Sequence, residues 1–200
     1  MILPALVALR YCSTPRPKPR MFDRAWGKVC TVEPIAKSEA DFMIQQHYLK
    51  CWPAVCVCRL GLRVSGRWAG LIIFSLPRAG TEKLVGGITW GLARLWAHDD
   101  MPRNTESWFI SKAVKWVRMN RPEVRFLISY ADPSAGHHGF VYKASNWKDF
   151  GRSDEGRMTP RFDHLDPQTG KKYERRSRIP EGVQTVRLPR VSKHRFVYEL

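Results

Sequence analysis

The chain has 200 residues, of which 44% are hydrophobic and 12% aromatic, enough for one domain with a packed core. Its 34 Lys and Arg residues against 18 Asp and Glu give a net charge of +16, which favours a polyanionic partner, above all nucleic acid. Five cysteines are an odd and modest number that argues against a disulfide scaffold and fits the reducing cytoplasm.

The N-terminal stretch is basic and rich in proline. Residues 1–9 are apolar but too short to span a bilayer, and the chain shows no basic amphipathic helix, so we expect no membrane partner. Residues 15–20 alternate proline with arginine or lysine, a pattern typical of an extended arm that can contact phosphates. We therefore expect an N-terminal arm over 1–28, a central domain over 29–157 and a basic extension over 158–200.

The central domain alternates predicted strands and helices. In chain order these are a strand at 29–34, a helix at 38–50, a hairpin of strands at 55–64 and 68–76, a long strand at 86–96, a helix at 104–120, a strand at 124–131 and a short helix at 139–146. After residue 151 the chain becomes polar, and residues 195–199 predict a closing edge strand. Hairpins together with helical crossovers predict an α/β fold whose sheet is partly antiparallel, partly parallel and flanked by helices.

Polar residues cluster where two predicted strands end. Ligands of such sheets bind beyond the carboxyl ends of parallel strands, where the strands diverge, which here lies between 86–96 and 124–131. Arg103, Asn104 and Ser107 open the helix after the first of these strands, and free amides at a helix start hold phosphates or carboxylates. Arg103 can add a bidentate contact. Asn104 and Ser107 serve equally well as helix caps, so a ligand role for them stays open.

The second strand leads into the densest group of reactive side chains, at residues 129–147. Tyr130 and Asp132 share a face of the strand by alternation, and a carboxylate beside aromatic rings has a raised pKa and can act as a base. Capping of the following turn is the alternative role of Asp132. His137 lies in a segment bracketed by glycines that let the backbone approach a ligand, and Tyr142 can donate a proton or stack on a base.

His47, at the end of its predicted helix, is a second candidate base. The alternative is that it is a solvated histidine with no role beyond its favourable position at the helix terminus. Arg94 falls on an aromatic face of its strand, so it either stacks on a tryptophan or points at an anion. If His47 meets Asp132 and one of the histidines at 137–138, the three form a two-histidine, one-carboxylate set suited to iron. Our preferred interpretation assigns no metal ligand. We expect these side chains, the polar group after the second strand and the helix start described above to share one pocket.

Several of these segments resemble one known family. They are His47-Tyr48, Leu92-Ala93-Arg94-Leu95, Pro102-Arg103-Asn104-Thr105-Glu106-Ser107, and Ser129-Tyr130-Ala131-Asp132 continuing through Gly136-His137, Gly139, Tyr142, Ala144, Asn146 and Trp147. The pattern resembles the phage Mom family of DNA modification proteins, a divergent branch of the GNAT acyltransferase superfamily, over roughly residues 29–152. The resemblance implies a GNAT-like fold with a catalytic domain over 29–157. It also implies conversion of adenine in double-stranded DNA to a carbamoylmethylated adenine, which protects phage DNA from host restriction.

The resemblance further implies roles for individual residues. By motif match, the functionally critical positions implied are His47, Arg94, Ser107, Asp132 and Tyr142. Together with the arguments from the residues, we expect catalytic roles for His47, Ser107, Asp132 and Tyr142 and cofactor contacts from Arg94, Arg103 and Asn104. The expected substrate-binding residues are Ser129, Tyr130, His137, Gly139, Asn146 and Trp147. Of these, Trp147, Tyr130 or Tyr142 would stack on an adenine that is flipped out of the duplex. Flipping costs about a few kcal/mol, which phosphate contacts of the basic surface partly offset.

The identity of the donor stays open. Ordinary GNAT enzymes hold the pyrophosphate of acyl-CoA in a Gly-rich turn, which residues 100–104 (Asp-Met-Pro-Arg-Asn) replace here. Acyl transfer would also yield an amide, whereas the implied product carries a CH₂ on the adenine nitrogen. Acetyl-CoA, another acyl or glycyl donor, and a requirement for iron are therefore the alternatives. An ordinary N-acetyltransferase acting on a protein or small amine, and a non-catalytic nucleic-acid-binding module, are the alternative functions.

Overall fold

Ten strands and five helices are described in the structure, a computed structural model that describes residues 24–173 and 178–200. The helices are α1 (Arg24–Val29), α2 (Lys37–Ile44), α3 (Thr81–Val85), α4 (Thr105–Asn120) and α5 (Phe140–Lys143). The strands are β1 (Cys30–Pro34), β2 (Cys56–Val64), β3 (Arg67–Ser75), β4 (Thr89–Ala97), β5 (Phe126–Ala131), β6 (Lys148–Arg152), β7 (Phe162–Leu165), β8 (Lys172–Tyr173), β9 (Val186–Pro189) and β10 (His194–Glu199). Residues 1–23 of the predicted N-terminal arm lie outside the described residues.

The larger sheet has seven strands in the order β1-β2-β3-β4-β5-β10-β6. β1 to β4 pair antiparallel in sequence, as the tight hairpin between β2 and β3 requires. β4 pairs parallel with β5 because the α4 crossover joins them, and β10 pairs antiparallel with β5 on one side and β6 on the other. The predicted α/β fold, with a mixed sheet flanked by helices, is confirmed.

Helices cover both faces of this sheet. The adjacent residues Ile73 and Phe74 of β3 point to opposite faces, and both are fully buried. Phe74 lies in the core cluster that contains the α4 residues Phe109 and Val117, while Ile73 lies in a second cluster that contains Met43 of α2. The apolar stripes of α2 and α4 therefore pack on opposite faces of the sheet. These helices do not cover the ends of the strands, where a ligand can bind.

β4 and β5 separate partway along their length. Their paired stretch ends at Gly91 and Ile128. Beyond that point β4 continues to Ala97 beside β3, whereas β5 continues to Ala131 beside β10. Diverging parallel strands leave an opening at their carboxyl ends, which is where ligands bind in sheets of this kind.

A β-bulge lies in β4 at the point of divergence. Phe74 faces Leu92 and Ile73 faces Arg94 across the β3–β4 ladder, so Ala93 is an extra residue in β4. Because residues that oppose each other in a ladder point to the same face, Leu92 lies on the α4 side and Arg94 on the α2 side. The bulge thus reverses the alternation between Leu92 and Arg94, while Arg94 keeps the same face as Trp96, which opposes Leu71.

Two elements differ from their predictions. The helix predicted at 38–50 ends at Ile44, and turns carry the chain onward, so His47 lies in a turn. The predicted edge strand is β10, which lies between β5 and β6 and buries the consecutive residues Phe196 and Val197. An interior strand buries both faces, so two adjacent apolar residues suit it, and β6 takes the edge. The predicted extension over 158–200 thus supplies a central strand of the larger sheet.

The rest of that extension forms a second sheet of three strands, in the order β8-β7-β9. Its buried Asp163 pairs with Arg190 and, at 3.2 Å, with Lys172. These hydrogen-bonded cations outweigh burial and hold the pKa of the Asp163 carboxyl below its ordinary value. The short, polar strands carry little periodicity, which explains why the sequence did not predict them. Across the described parts of the chain, no helix is long and apolar enough to cross a membrane.

Candidate active site

A cavity of about 480 Å³ opens where β4 and β5 diverge. Its walls come from the turn after α2, from β4 and β5 beyond their paired stretch, from the start of α4, and from the segment that leads into α5. The lining residues are His47, Tyr48, Leu92, Ala93, Leu95, Trp96, Ala97, Glu106, Ser129, Tyr130, Ala131, Gly136, His137, His138, Gly139, Phe140, Val141 and Tyr142. The structure therefore brings together the predicted site residues His47, Ser129, Tyr130, His137, Gly139 and Tyr142.

Tyr142 and Ser129 form the buried floor of this cavity. The Ser129 hydroxyl lies 2.9 Å from the Leu92 carbonyl and 2.7 Å from the Tyr142 phenol oxygen. A serine has one hydroxyl proton and a carbonyl only accepts, so Ser129 donates to Leu92 and Tyr142 donates to Ser129. Burial raises the pKa of Tyr142 to about 12, so the phenol stays protonated at neutral pH. With its proton directed at Ser129, the phenol oxygen has lone pairs left to accept a hydrogen bond from a ligand.

His47 lines the same cavity as a neutral ring. It is 6% exposed, and its burial, reinforced by the charges of Arg94 and His137, lowers its pKa to about 4. The Leu49 backbone N–H donates to its Nδ1 over 3.1 Å. Since Nδ1 accepts, the proton of the neutral ring lies on Nε2, and His47 is a hydrogen-bond donor toward a ligand. This arrangement does not suit the role of base that the sequence suggested.

Arg94 connects β4 to the segment that carries His47. Its Nε donates to the Cys51 carbonyl over 2.9 Å, and its Nη1 donates to the Ala93 carbonyl over 2.7 Å. The remaining Nη2 lies 3.3 Å from the Cys51 sulfur. Arg94 is absent from the cavity lining, so in this structure it positions the turn after α2 and does not point at an anion in the cavity.

Asp132 follows β5 but lies outside the cavity lining. Its carboxylate accepts hydrogen bonds from the Ser134 amide and hydroxyl and pairs with Lys193 at 2.8 Å. Partial burial alone would raise the pKa of the carboxyl, but the hydrogen bonds from Lys193 and Ser134 outweigh it and lower the pKa. The expected raised pKa is therefore wrong. Lys193 precedes β10, which the sequence placed at the sheet edge, so this partner was not predictable.

The main-chain oxygen of Asp132 has a separate structural role. It accepts from the amides of Ala135 and His137, each over 3.0 Å. These bonds close the 3₁₀ turn at Pro133–Ala135 and fix the backbone of His137, which lines the cavity. Asp132 thus organises the loop that forms one wall of the site.

A second cavity, of about 540 Å³, lies beside the first, between α4 and the segment after α5. Three predicted site residues, Asn104, Ser107 and Asn146, line it together with the cations Lys115 and Arg118. The two cavities lie on either side of the first turn of α4, and the prediction of one shared pocket is wrong. The reason is helical geometry, because successive residues in a helical turn point in different directions.

Asn104 immediately precedes α4 in a left-handed conformation, with φ at 69°. Its side chain makes no capping hydrogen bond, and the Ser107 hydroxyl donates to its carbonyl over 3.0 Å. Left-handed backbone is tolerated by asparagine far better than by most residues, which accounts for Asn104 without a side-chain cap. Arg103 is exposed in the same turn and lines neither cavity.

Trp147 is 4% exposed and lies behind Tyr142, not in the cavity. Its ring centroid is 5.4 Å from that of Tyr142 and 5.8 Å from that of Tyr198. In this position Trp147 supports the Tyr142 ring and offers no free face to a base, contrary to the stacking role predicted from its aromatic ring.

The cavity residues that were not among the predicted site residues include the polar or aromatic side chains of Tyr48, Trp96, Glu106, His138 and Phe140. Tyr48 and Glu106 stand in segments that resemble the family, but neither was assigned a role in the site. The adjacency of Tyr48 to His47, and of Glu106 to Ser107, was the available signal for these two residues.

The two-histidine, one-carboxylate set considered for iron does not fit the geometry. Nδ1 of His47 is occupied by the Leu49 amide, and the Asp132 carboxylate is engaged by Lys193 and Ser134. Within residues 24–173 and 178–200, no group of three or more His, Cys, Asp and Glu side chains is placed to hold a metal ion.

A mixed sheet with diverging β4 and β5, covered by α2 and α4, is the fold of GNAT acyltransferases. The structure is similar to the IAA acetyltransferase from Bacillus cereus ATCC 14579, with a TM-score of 0.52 and 12% identity over 86% of this chain and 99% of that one. It is also similar to Arabidopsis thaliana NAA60 in complex with acetyl-CoA, with a TM-score of 0.54 and 13% identity over 86% of this chain and 99% of that one. The predicted GNAT-like fold is thereby confirmed.

The chain belongs to the Mom protein family, whose model matches residues 29–200. It is 52% identical over 56 residues to the methylcarbamoylase mom of Escherichia phage Mu. That match covers 28% of this chain and 23% of the phage Mu protein. The family resemblance predicted from the sequence is confirmed, and family and fold together define a transferase of acyltransferase-like architecture.

Proposed function

We propose that this protein converts adenine in double-stranded DNA to a carbamoylmethylated adenine, in the cytoplasm of the bacterial host, and so protects phage DNA from restriction. The observation that carries the proposal is the 52% identity to a protein named methylcarbamoylase mom, within a chain that belongs to the Mom family throughout residues 29–200. The net charge of +16 supports DNA as the partner, because phosphate contacts dominate the affinity of such complexes.

The first cavity supports a base as the substrate. Its volume of about 480 Å³ falls in the range of small-molecule sites, and its walls combine the rings of Tyr48, Tyr130 and Trp96 with a few hydrogen-bonding groups. A planar ring can stack on such walls while polar groups contact its edge. An adenine reaches this cavity only when it is flipped out of the duplex.

The reaction forms a bond between the adenine N6 and a methylene carbon of the donor, breaks the bond between that carbon and its leaving group, and releases one N6 proton. The N6 lone pair is delocalised into the ring, so a base must remove the proton as the new bond forms. The Tyr142 oxygen is suited to accept from N6–H and orient it. His47 donates from Nε2 to negative charge that develops on the donor. Glu106 is the carboxylate on the cavity wall that we assign as the proton acceptor.

Of the remaining predicted residues, we propose positioning roles for Arg94 and Asp132. Arg94 holds the turn that carries His47, and Asp132 holds the loop that carries His137. Ser129 holds the Tyr142 phenol in the orientation that frees its lone pairs for the substrate.

The second cavity supports an anionic donor. Lys115, Arg118 and the start of α4 would hold its phosphates, and Ser107 and Asn146 lie on the same wall. Coenzyme A fits such a set, and its thioester would supply an activated acyl group. The methylene in the proposed product requires a donor whose CH₂ lies between a carboxamide and a leaving group, and N6 displaces that leaving group. We propose such a donor and not a simple acyl thioester, which is electrophilic at its carbonyl and would yield an amide.

The test is to express the protein in cells and digest their plasmid DNA to nucleosides for mass spectrometry. We expect a new deoxyadenosine species heavier by one carbamoylmethyl group, absent from cells that express His47→Ala. Unmodified nucleosides in the presence of soluble, folded protein would overturn the proposal. Acetylation of a protein or small amine from acetyl-CoA without DNA would support the ordinary N-acetyltransferase instead. If wild type and His47→Ala bind DNA equally well and neither yields a modified nucleoside, the result would support the non-catalytic binding module.

A further inference from the structure

Phe140 combines a helical backbone with an exposed side chain in the lining of the cavity. It is the first residue of α5, it lines the first cavity, and it is 75% exposed. No other Phe, Tyr or Trp side chain among the residues the structure describes is exposed to this extent. A single exposed apolar residue is ordinary on a protein surface, so its meaning depends on what holds it and what surrounds it.

The backbone beneath Phe140 is fixed on the core. Gly139 has φ of 80°, and a Cβ at this position would come within 2.2 Å of the ring of Phe196, which is fully buried. The Gly139 carbonyl accepts from the amides of Tyr142 and Lys143 over 3.1 and 3.2 Å. Tyr142 in turn stacks on Phe196 with ring centroids 5.2 Å apart. Phe140 is therefore an exposed ring on a rigid support.

The surroundings of Phe140 form an aromatic rim around the cavity mouth. The His138 ring centroid is 6.1 Å from that of Phe140. The Tyr48 ring centroid, in the turn after α2, is 4.8 Å from that of His137, and Tyr48 is about half exposed. These rings can contact stacked bases, and the basic surface supplies the phosphate contacts.

We infer that Phe140 is the wedge that enters the base stack of duplex DNA and fills the place of the adenine that has left it. This inference rests on the proposed function, because a wedge is needed only if a paired base must leave the helix. Proteins that unstack DNA insert apolar side chains such as Phe between base steps. The wedge offsets part of the cost of unstacking and unpairing the adenine.

Phe140→Ala in the full chain tests the wedge. The probe is a panel of short duplexes that carry one 2-aminopurine in place of adenine in varied sequence contexts, since its fluorescence rises when the base unstacks. We expect the wild-type protein to raise the fluorescence and the variant to do so about tenfold more weakly at equal occupancy, because the flipped state loses its filler. Phe140→Trp should keep the effect. Phe42→Ala is the matched control, because Phe42 is 58% exposed but lies outside both cavities.

A second arm measures modification of adenine in single-stranded DNA and opposite an abasic site, where little or no pairing must be broken. The wedge predicts that Phe140→Ala loses activity on paired adenine and keeps it on these substrates. Equal losses on all substrates, or equal fluorescence for wild type and Phe140→Ala, would overturn the wedge. Unstacking that depends on Phe140 without any modified nucleoside would support the wedge and overturn the proposed chemistry.

Discussion

The phenol oxygen of Tyr142 lies 2.7 Å from the hydroxyl oxygen of Ser129, and both residues are buried at the base of the candidate active site. This bond spans the opening between β5 and α5, while Ser129 also bonds the Leu92 carbonyl of β4. One small hydroxyl therefore connects both diverging strands to the tyrosine.

Tyr142→Phe and Ser129→Ala should separate chemistry from stability. Tyr142→Phe leaves the Ser129–Leu92 bond in place, so it should cost about 1 kcal/mol in the free energy of unfolding and lower modification by about a hundredfold. Ser129→Ala leaves the buried phenol without its hydrogen-bond partner, so it should lower the free energy of unfolding by about 1–3 kcal/mol. Its loss of modification rate should be smaller than that of Tyr142→Phe. Urea unfolding and nucleoside analysis measure the two effects. A Tyr142→Phe variant with wild-type activity would contradict the role of the phenol.

Substitutions of His47 should distinguish a donor from a base. Glutamine places an N–H near the position of Nε2, so His47→Gln should keep a measurable part of the activity, whereas His47→Ala should lose about a hundredfold or more. Modified adenine per unit time gives the comparison, and the circular dichroism spectrum controls for folding. If His47→Gln is as inactive as His47→Ala while both are folded, the ring acts by accepting a proton.

The stability of the protein should depend on pH through His47. Burial lowers its pKa to about 4 from an ordinary value of 6.5, so between these values the unfolded chain binds a proton that the folded chain does not. The free energy of unfolding should therefore rise with pH across this window. The contribution of the neutral His47 ring to stability is lost as the pH falls from 6.5 toward about 4. Urea unfolding of wild type and His47→Gln at several pH values tests this, with curves that converge toward pH 4. Parallel curves would show that His47 titrates alike in both states.

The ion pair between Asp132 and Lys193 should couple the loop after β5 to the start of β10. Because it is partly exposed, a double-mutant cycle with Asp132→Asn and Lys193→Met should give a coupling energy of about 1 kcal/mol or less. If Asp132 only positions the loop, Lys193→Met should lower the rate without moving the pH profile. A profile whose acid limb shifts upward in Lys193→Met would instead identify Asp132 as the titrating base.

Asn104 should tolerate glycine better than alanine. Its φ of 69° is left-handed, so Asn104→Gly should leave the free energy of unfolding nearly unchanged, and Asn104→Ala should lower it by about 1 kcal/mol. A loss of modification in Asn104→Gly at unchanged stability would show that the side chain contacts the donor. Thermal unfolding and nucleoside analysis on the same preparations provide both readings.

Local pattern was enough to predict the elements from β1 to α5, with the exception of α3. The apolar stripe of α4 and the β-branched and apolar composition of β2 and β3 indicate burial, so the type and order of these elements followed from the sequence. The position of β10 between β5 and β6 did not, since strand partners far apart in the chain leave no periodic signal. The bulge at Ala93 also leaves no signal in the sequence, although it determines which face of the sheet Arg94 occupies.

The candidate site could likewise be predicted only where its residues are close in the chain. Residues 129–142 are consecutive, so their proximity followed from the chain itself, and the family resemblance added His47. Glu106 enters from α4, about 100° around the helix from Ser107, and only the crossing of that helix over the sheet makes it part of the cavity wall. The paired state of Asp132 depends on Lys193, which arrives from the far end of the chain.

The interior position of β10 has a consequence for biosynthesis. While a ribosome is still translating residues before 194, β5 has a bare edge and β6 has no neighbour in the sheet. A nascent chain can therefore fold its early hairpins, but Phe196, on which Tyr142 stacks, does not take its place beside β5 until residues 194–199 have been translated. Prematurely terminated polypeptides that lack His194–Glu199 should be inert and prone to self-association through the unsatisfied backbone of β5.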